Sequence, residues 1–202
     1  MRPISGTRRA VAALVATLAL VLLAGCGGAP QPSPVAGQHD APVPPMTVLA
    51  RPPLAAPVTF DITRLDIAGA TLIPLGLQPD GTVEVPPVTE PLQGGYWRAG
   101  FPTATTPTVL LGHVNGGGKP GLFADLTKLG EGDMVTVHRA DGTASRYTIV
   151  HTERVSKDQF PTGWVYGDQA VPTLRLVTCG GEFNTARHSY LDNIIAFGAL
   201  TP

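Results

Sequence analysis

Apolar and polar residues alternate in short runs from Val58 to the C-terminus, the period-two pattern of half-buried strands. Val58-Thr59-Phe60-Asp61-Ile62 opens the series. Residues 65–67, 71–75 and 82–85 follow, with Pro79-Asp80-Gly81 forming a turn before the last of them. Residues 108–113 are an apolar run ending at a histidine. Residues 133–138 and 145–150 flank Ala140-Asp141-Gly142, a hairpin signal. Residues 174–179 are another apolar run, and 193–200 close the chain. Helical candidates are short, around 94–99 and 123–128. Seven or eight short strands at this spacing predict an all-β domain over 58–202, a barrel or a sandwich with one or two short helices.

Upstream the pattern changes twice. Residues 1–9 carry Arg2, Arg8 and Arg9 and no acid, and residues 10–24 contain only Ala, Val, Leu and Thr. That run is short for a bilayer span and has the layout of an export signal. It stops at Leu23-Ala24-Gly25-Cys26-Gly27, which resembles a bacterial lipobox with Cys26 as the lipidated mature N-terminus. An uncleaved signal anchor is the alternative. Both readings place the rest of the chain outside the cytoplasmic membrane, tethered by its N-terminus. Residues 27–57 are rich in Pro, as in Pro30-Gln31-Pro32-Ser33-Pro34 and Pro42-Val43-Pro44-Pro45. Such a segment favours extended polyproline II and, at ~3 Å per residue, reaches up to ~90 Å. The expected organisation is therefore signal 1–26, linker 27–57 and domain 58–202.

Composition narrows the function classes. The formal net charge of -1 gives no electrostatic footprint for a nucleic-acid partner. With only two cysteines, lipidation of Cys26 leaves Cys179 as a lone thiol in an oxidising compartment. Cys179 ends one apolar run and precedes Gly180-Gly181. His113 ends another and is followed by Val114, Asn115 and Gly116-Gly117-Gly118. In both, a strand delivers a reactive side chain where glycines leave room for a substrate backbone. A thiol with an ordinary pKa of about 8.5 needs an imidazole to take its proton, and acyl transfer needs a donor for the developing oxyanion. The blander readings are a buried cysteine packed as a small hydrophobe and a structural histidine.

Thr178-Cys179 at the end of an apolar strand resembles the sortase signature, Thr-Leu-x-Thr-Cys on the seventh strand of an eight-stranded β-barrel. Leu111-Gly112-His113 is similar to the strand end that presents the catalytic histidine of that family. Further similar stretches are Ile73-Pro74-Leu75-Gly76-Leu77, Lys157-Asp158-Gln159-Phe160-Pro161-Thr162 and Cys179-Gly180-Gly181-Glu182-Phe183, in the manner of the class E/F enzymes of actinobacteria. The resemblance implies a cysteine transpeptidase that cleaves a C-terminal sorting signal (Leu-Pro-x-Thr-Gly-like) of exported proteins at a Thr–Gly-type amide. A thioacyl intermediate on Cys179 would pass to an amine such as a peptidoglycan precursor, with His113 as acid/base. It implies no metal or other cofactor, and the single expected N-terminal anchor suggests a monomer at the membrane face. It also implies an arginine at the start of the last strand. Relatives often have one where Leu191 stands, and Arg187 is the only arginine after Cys179. Arg187 is the expected catalytic arginine and Arg175 its competitor, since Arg175 shares a strand face with Cys179. Thr178 is a structural or substrate-contacting residue. An L,D-transpeptidase would want a histidine just before the cysteine, where this chain has Leu176-Val177-Thr178. A silent barrel that binds an extended peptide is the alternative from a different class.

Overall fold

The predicted alternation is realised as a closed barrel. The computed structural model describes residues 54–98 and 105–202, within a unit spanning Val48–Pro202. The signal, Cys26 and most of the linker lie outside the described residues. The strands are β1 (Pro57–Ile62), β2 (Ile67–Leu75), β3 (Gly94–Trp97), β4 (Thr108–Leu111), β5 (Asn115–Gly116), β6 (Lys119–Pro120), β7 (Met134–Arg139), β8 (Ala144–Ser156), β9 (Thr173–Asn184) and β10 (Ser189–Leu200). Eight of them close in the order β1-β2-β3-β4-β9-β10-β8-β7, and β5 and β6 form a separate two-stranded hairpin. Closure leaves the barrel without an edge strand for stray pairing. One helix, α1 (Thr162–Tyr166), and three single 3-10 turns complete the described elements.

Three expectations need correction. Residues 94–97 form strand β3 where a short helix was predicted. The reason is steric: β3 pairs in parallel with β2 (Leu72↔Gly94, Leu75↔Trp97) and antiparallel with β4, and a Cβ on Gly95 would sit 2.6 Å from Leu75 Cγ. A glycine pair therefore serves close strand approach, at odds with its usual reading as a break. Residues 82–85 do not extend the sheet. Both sides of β2 are already taken, by β1 and β3, so only the isolated bridge Leu77↔Val83 forms and Val85 stays exposed. Residues 76–93 are thus a long loop. The expected helix at 123–128 is a 3-10 turn, Leu126–Lys128.

Strand parity sorts the core into two apolar clusters. Inside the barrel lie Phe60, Ile62, Leu110, Phe123, Val135, Val137, Tyr147, Ile149, Leu174, Leu176, Ile194 and Ala196. The alternate residues of β4, β9 and β10 (Val109, Leu111, Val177, Ile195, Phe197) pack outside the barrel with Leu75 and with Val165 of α1. Buried on both faces, β4 reads as an unbroken apolar run. Helix α1 has five residues and no side-chain N-cap bond, too few to hold by themselves. It stands because Val165 is fully buried, a contribution of about 1.5–3 kcal/mol, and because Tyr166 meets Trp97 edge-on at 5.4 Å. Burial pushes the Tyr166 hydroxyl pKa up to about 12.

Candidate active site

Strands β4 and β9 run parallel, with Thr108↔Leu174 and Leu111↔Val177 in register, and Gly112 N–H donates to the Val177 carbonyl at 3.2 Å. Two residues further on come His113, just past the end of β4, and Cys179, within β9. Period-two alternation puts both on the outward face that carries Leu111 and Val177. Gly112 faces the other way: a Cβ there would meet the Phe123 ring of the interior. The two residues come to the same end and face of neighbouring strands, although 66 positions separate them in sequence.

His113 is half-buried, and its Nε2 lies 2.7 Å from the Pro86 carbonyl oxygen. A carbonyl only accepts, so Nε2 carries the proton and the lone pair of the neutral ring is on Nδ1. The histidine is thereby oriented by the 76–93 loop, whose position is fixed in part by Glu84 accepting from Gly76 N–H at 2.6 Å. Cys179 is a free, half-buried thiol. Asn115, just past His113, donates through Nδ2 to the Tyr190 hydroxyl at 2.7 Å. That bond ties the glycine-rich turn after His113 to β10.

The glycines do less for substrate than expected. Gly180 is filled by Ile194, whose Cγ1 and Cδ1 would lie 2.6 and 2.8 Å from an added Cβ. At Gly181, with φ +76°, an added Cβ would meet the Asp192 carboxylate. Both accommodate side chains of β10. Gly117 (φ +56°) and Gly118 (φ +73°) do have open space beside them, but their left-handed backbone is what demands glycine.

Neither arginine singled out in the sequence is placed beside the thiol. Arg175 shares the face of Cys179, but four residues along a strand is ~13 Å. Its guanidinium is buried, donating from Nε to the Trp164 carbonyl (3.1 Å) and from Nη1 to the Leu174 carbonyl (2.8 Å), with Cζ 4.6 Å over the Phe197 ring. Desolvation lowers its pKa to about 10, so it stays charged. Arg187 sits in the β9–β10 turn, where its N–H donates to Asn184 Oδ1. Its side chain is exposed and lines a hollow with Lys157, Asp158, Ser189 and Leu191. Strand β9 runs on to Asn184, ~16 Å beyond the nucleophile.

The arginine that does line a hollow with Cys179 was missed. Arg154 of β8 pairs with Ile194, which pairs with Thr178. This row sets Arg154 at the barrel rim, bordering a hollow of about 200 Å³ shared with Phe123, Thr178, Cys179, Gly180 and Tyr190. Its Nε binds Asp192 Oδ2 at 2.8 Å. The row belongs to the interior face, however, the opposite side of β9 from the thiol. Thr178 is buried there, and its Oγ1 has no hydrogen-bond partner among the described residues. The next row, Cys179–Asn193–Val155, is the thiol's own. No local sequence signal marks Arg154 or Asn193, because their relation to Cys179 depends on the register of three strands. Among the described residues, no three His, Cys, Asp or Glu side chains come together as a metal site.

Comparison with known proteins agrees with this architecture. The family model described as Sortase domain matches residues 71–201. Among solved structures, sortase C1 from Streptococcus agalactiae aligns with a TM-score of 0.52 at 19% identity, covering 72% of this chain and 67% of that one. Sortase A from Listeria monocytogenes aligns at 0.52 and 14%, covering 73% and 88%. A lid mutant of sortase A from Corynebacterium diphtheriae aligns at 0.54 and 17%, covering 75% and 72%. These likenesses are of fold. No curated protein sequence matches significantly. With a family match across most of the strands that build the barrel, His113 and Cys179 among them, the chain belongs to the sortase family.

Proposed function

We propose that this protein is a cysteine transpeptidase of the class E/F kind, acting on exported proteins that carry a Leu-Pro-x-Thr-Gly-like C-terminal sorting signal. The observation that carries the reading is the parallel pairing of β4 with β9, whose register at Leu111↔Val177 supports His113 and Cys179, two residues beyond, as neighbours. In the proposed cycle, Nδ1 of His113 takes the proton of the Cys179 thiol. The sulfur attacks the carbonyl carbon of a Thr–Gly-type amide, and the carbonyl electron pair moves onto oxygen. The C–N bond then breaks, the leaving amine takes the proton from the imidazolium, and a thioester remains on Cys179. An acceptor amine, such as that of a peptidoglycan precursor, attacks the thioester, yields its proton to His113 and expels the sulfur.

The basic segment, apolar run and Pro-rich stretch before residue 58 support action outside the cytoplasmic membrane, with Cys26 as a lipid-bearing anchor and the catalytic unit a monomer. Mass spectrometry of the mature N-terminus tests the lipidation: a diacylated Cys26 is expected, and a free Met1 replaces it with the uncleaved signal anchor. The catalytic reading is tested by incubating the full chain with a panel of Leu-Pro-x-Thr-Gly-type peptides and an amine. A thioacyl adduct or exchanged product is expected, abolished by Cys179→Ala and His113→Ala. A folded wild type that gives neither across the panel favours the second reading, a sortase barrel that binds an extended peptide without turning it over. The placement of Arg175 and Arg187 away from the thiol supports that second reading.

A further inference from the structure

Acyl transfer on Cys179 needs a hydrogen-bond donor at the oxyanion, on the face of the sheet where the sulfur lies. The register gives one candidate. Asn193 stands directly opposite Cys179 on β10, so their Cα atoms are ~4.5–5.5 Å apart and their side chains leave the sheet on the same side. Across on β8 its neighbour is Val155, and two residues along its own strand is Ile195, both of the outer apolar cluster. The carboxamide is half-buried in these surroundings and has no side-chain hydrogen bond among the described residues. A polar group so placed costs folding free energy unless something else satisfies it. Arg154 borders a hollow with Cys179 but projects from the interior row and is bound through Nε to Asp192, and Arg175 and Arg187 are engaged elsewhere or distant.

We infer that Asn193 is the oxyanion donor of this enzyme, its Nδ2–H binding the substrate carbonyl oxygen as Cys179 attacks, in the place where an arginine is otherwise expected. The inference rests on the acyl-transfer reading above. As the C–S bond forms, negative charge moves onto the carbonyl oxygen and Nδ2–H meets it. When that charge returns to expel the amine, the proton on the leaving nitrogen comes from His113, so Asn193 neither gains nor loses a proton. A carboxamide is a neutral donor, so its contribution does not depend on pH between about 4 and 10, where no amide titrates.

The test compares the full wild-type chain with Asn193→Ala and with the near-isosteric Asn193→Asp, whose ionised carboxylate only accepts. The probe is whichever Leu-Pro-x-Thr-Gly-type peptide the wild type turns over best, with a simple amine. Both variants should lose about 10²–10³-fold in kcat, with KM within about twofold. In Asn193→Ala, alkylation of Cys179 by iodoacetamide, a displacement that forms no oxyanion, should keep its rate and pH profile within about twofold. A kcat within about threefold of wild type in either variant overturns the inference alone. Alkylation that slows in step with kcat in Asn193→Ala also overturns it, because Asn193 would then act on the thiol or on the fold. A wild type with no turnover on any peptide overturns the acyl-transfer reading, and this inference with it.

Discussion

Gly181→Ala probes the packing behind the nucleophile. Gly181 has φ +76°, and an alanine held there costs ~1–2 kcal/mol of backbone strain. Its Cβ would also land against the Asp192 carboxylate, 2.7 Å from Cγ and 3.0 Å from Cβ. Asp192 must then swing away, giving up its 2.8 Å bond to Arg154. Arg154 is 65% exposed, so that pair contributes only ~0.5 kcal/mol. Together the substitution should cost ~2 kcal/mol. With an unfolding entropy of about 2.1 cal/mol/K per residue over a unit of roughly 150 residues, Tm should fall by about 6 °C. A double-mutant cycle separates the two parts. In an Asp192→Ala background the carboxylate is gone and only the 3.0 Å contact with Cβ is left, so Gly181→Ala should cost less by ~0.5–1 kcal/mol. Calorimetry that shows equal costs in both backgrounds, or a Tm change below about 1 °C, would refute the packing argument.

Other expectations follow from the same geometry. Tyr147 is fully buried, its hydroxyl 3.2 Å from Thr108 Oγ1 and accepting from Arg139 Nη2 at 3.3 Å. Tyr147→Phe should therefore lower stability by ~1–2 kcal/mol, seen as a shifted urea midpoint at constant m. The Asp61 carboxyl is held below its usual pKa, first by the hydrogen bond from His138 and then by Gly69 N–H. A depressed folded pKa stabilises above the unfolded value of about 3.9 and is lost as pH falls through the folded one. Asp61→Asn should be less stable than wild type at pH 6–7, by under about 1 kcal/mol because the pair is partly exposed. The gap should close as pH falls below the folded pKa of Asp61, and a gap that persists in acid rules the ionised carboxylate out as its origin. Arg187→Ala should leave turnover within about twofold. Arg175→Ala should instead lower thermal stability by ~2–4 kcal/mol, since it empties a buried site and strands two carbonyls. Loss of turnover in Arg187→Ala without loss of fold would return that arginine to the site.

What the sequence makes legible is local. Strand alternation around 58–62, 108–111, 133–138 and 174–179 reports which residues face a core, and β1, β4, β7 and β9 appear where it predicts them. Gly94-Gly95 defeats the same logic, because glycine carries no side chain to show a period and its place in β3 is dictated by Leu75 on another strand. Val83 and Val85 mislead in the opposite direction: they have strand propensity, but no free neighbour remains beside β2. At the site, Cys179 and His113 stand out after apolar runs, although β9 runs on past Cys179 to Asn184 and β4 stops two residues short of His113, and the partners around them do not stand out. Pro86 reaches His113 through a backbone oxygen, which no residue type advertises. Arg154 and Asn193 owe their positions to a register set by pairings along the whole of β10.

The parallel pairing of β4 and β9 also has a consequence for how the protein comes to life. Antiparallel neighbours such as β7–β8 and β9–β10 grow from hairpins, and each closes over a short stretch of chain. β4 and β9 meet only after β5 to β8 have been laid down between them, so their pairing carries a large loop-closure entropy and belongs among the slow, late events of folding. Until β4 and β9 pair, nothing in the fold holds thiol and imidazole side by side. A chain still emerging, misregistered or nicked between them holds a bare cysteine with no base aligned to it, so acyl-transfer competence doubles as a readout of barrel closure.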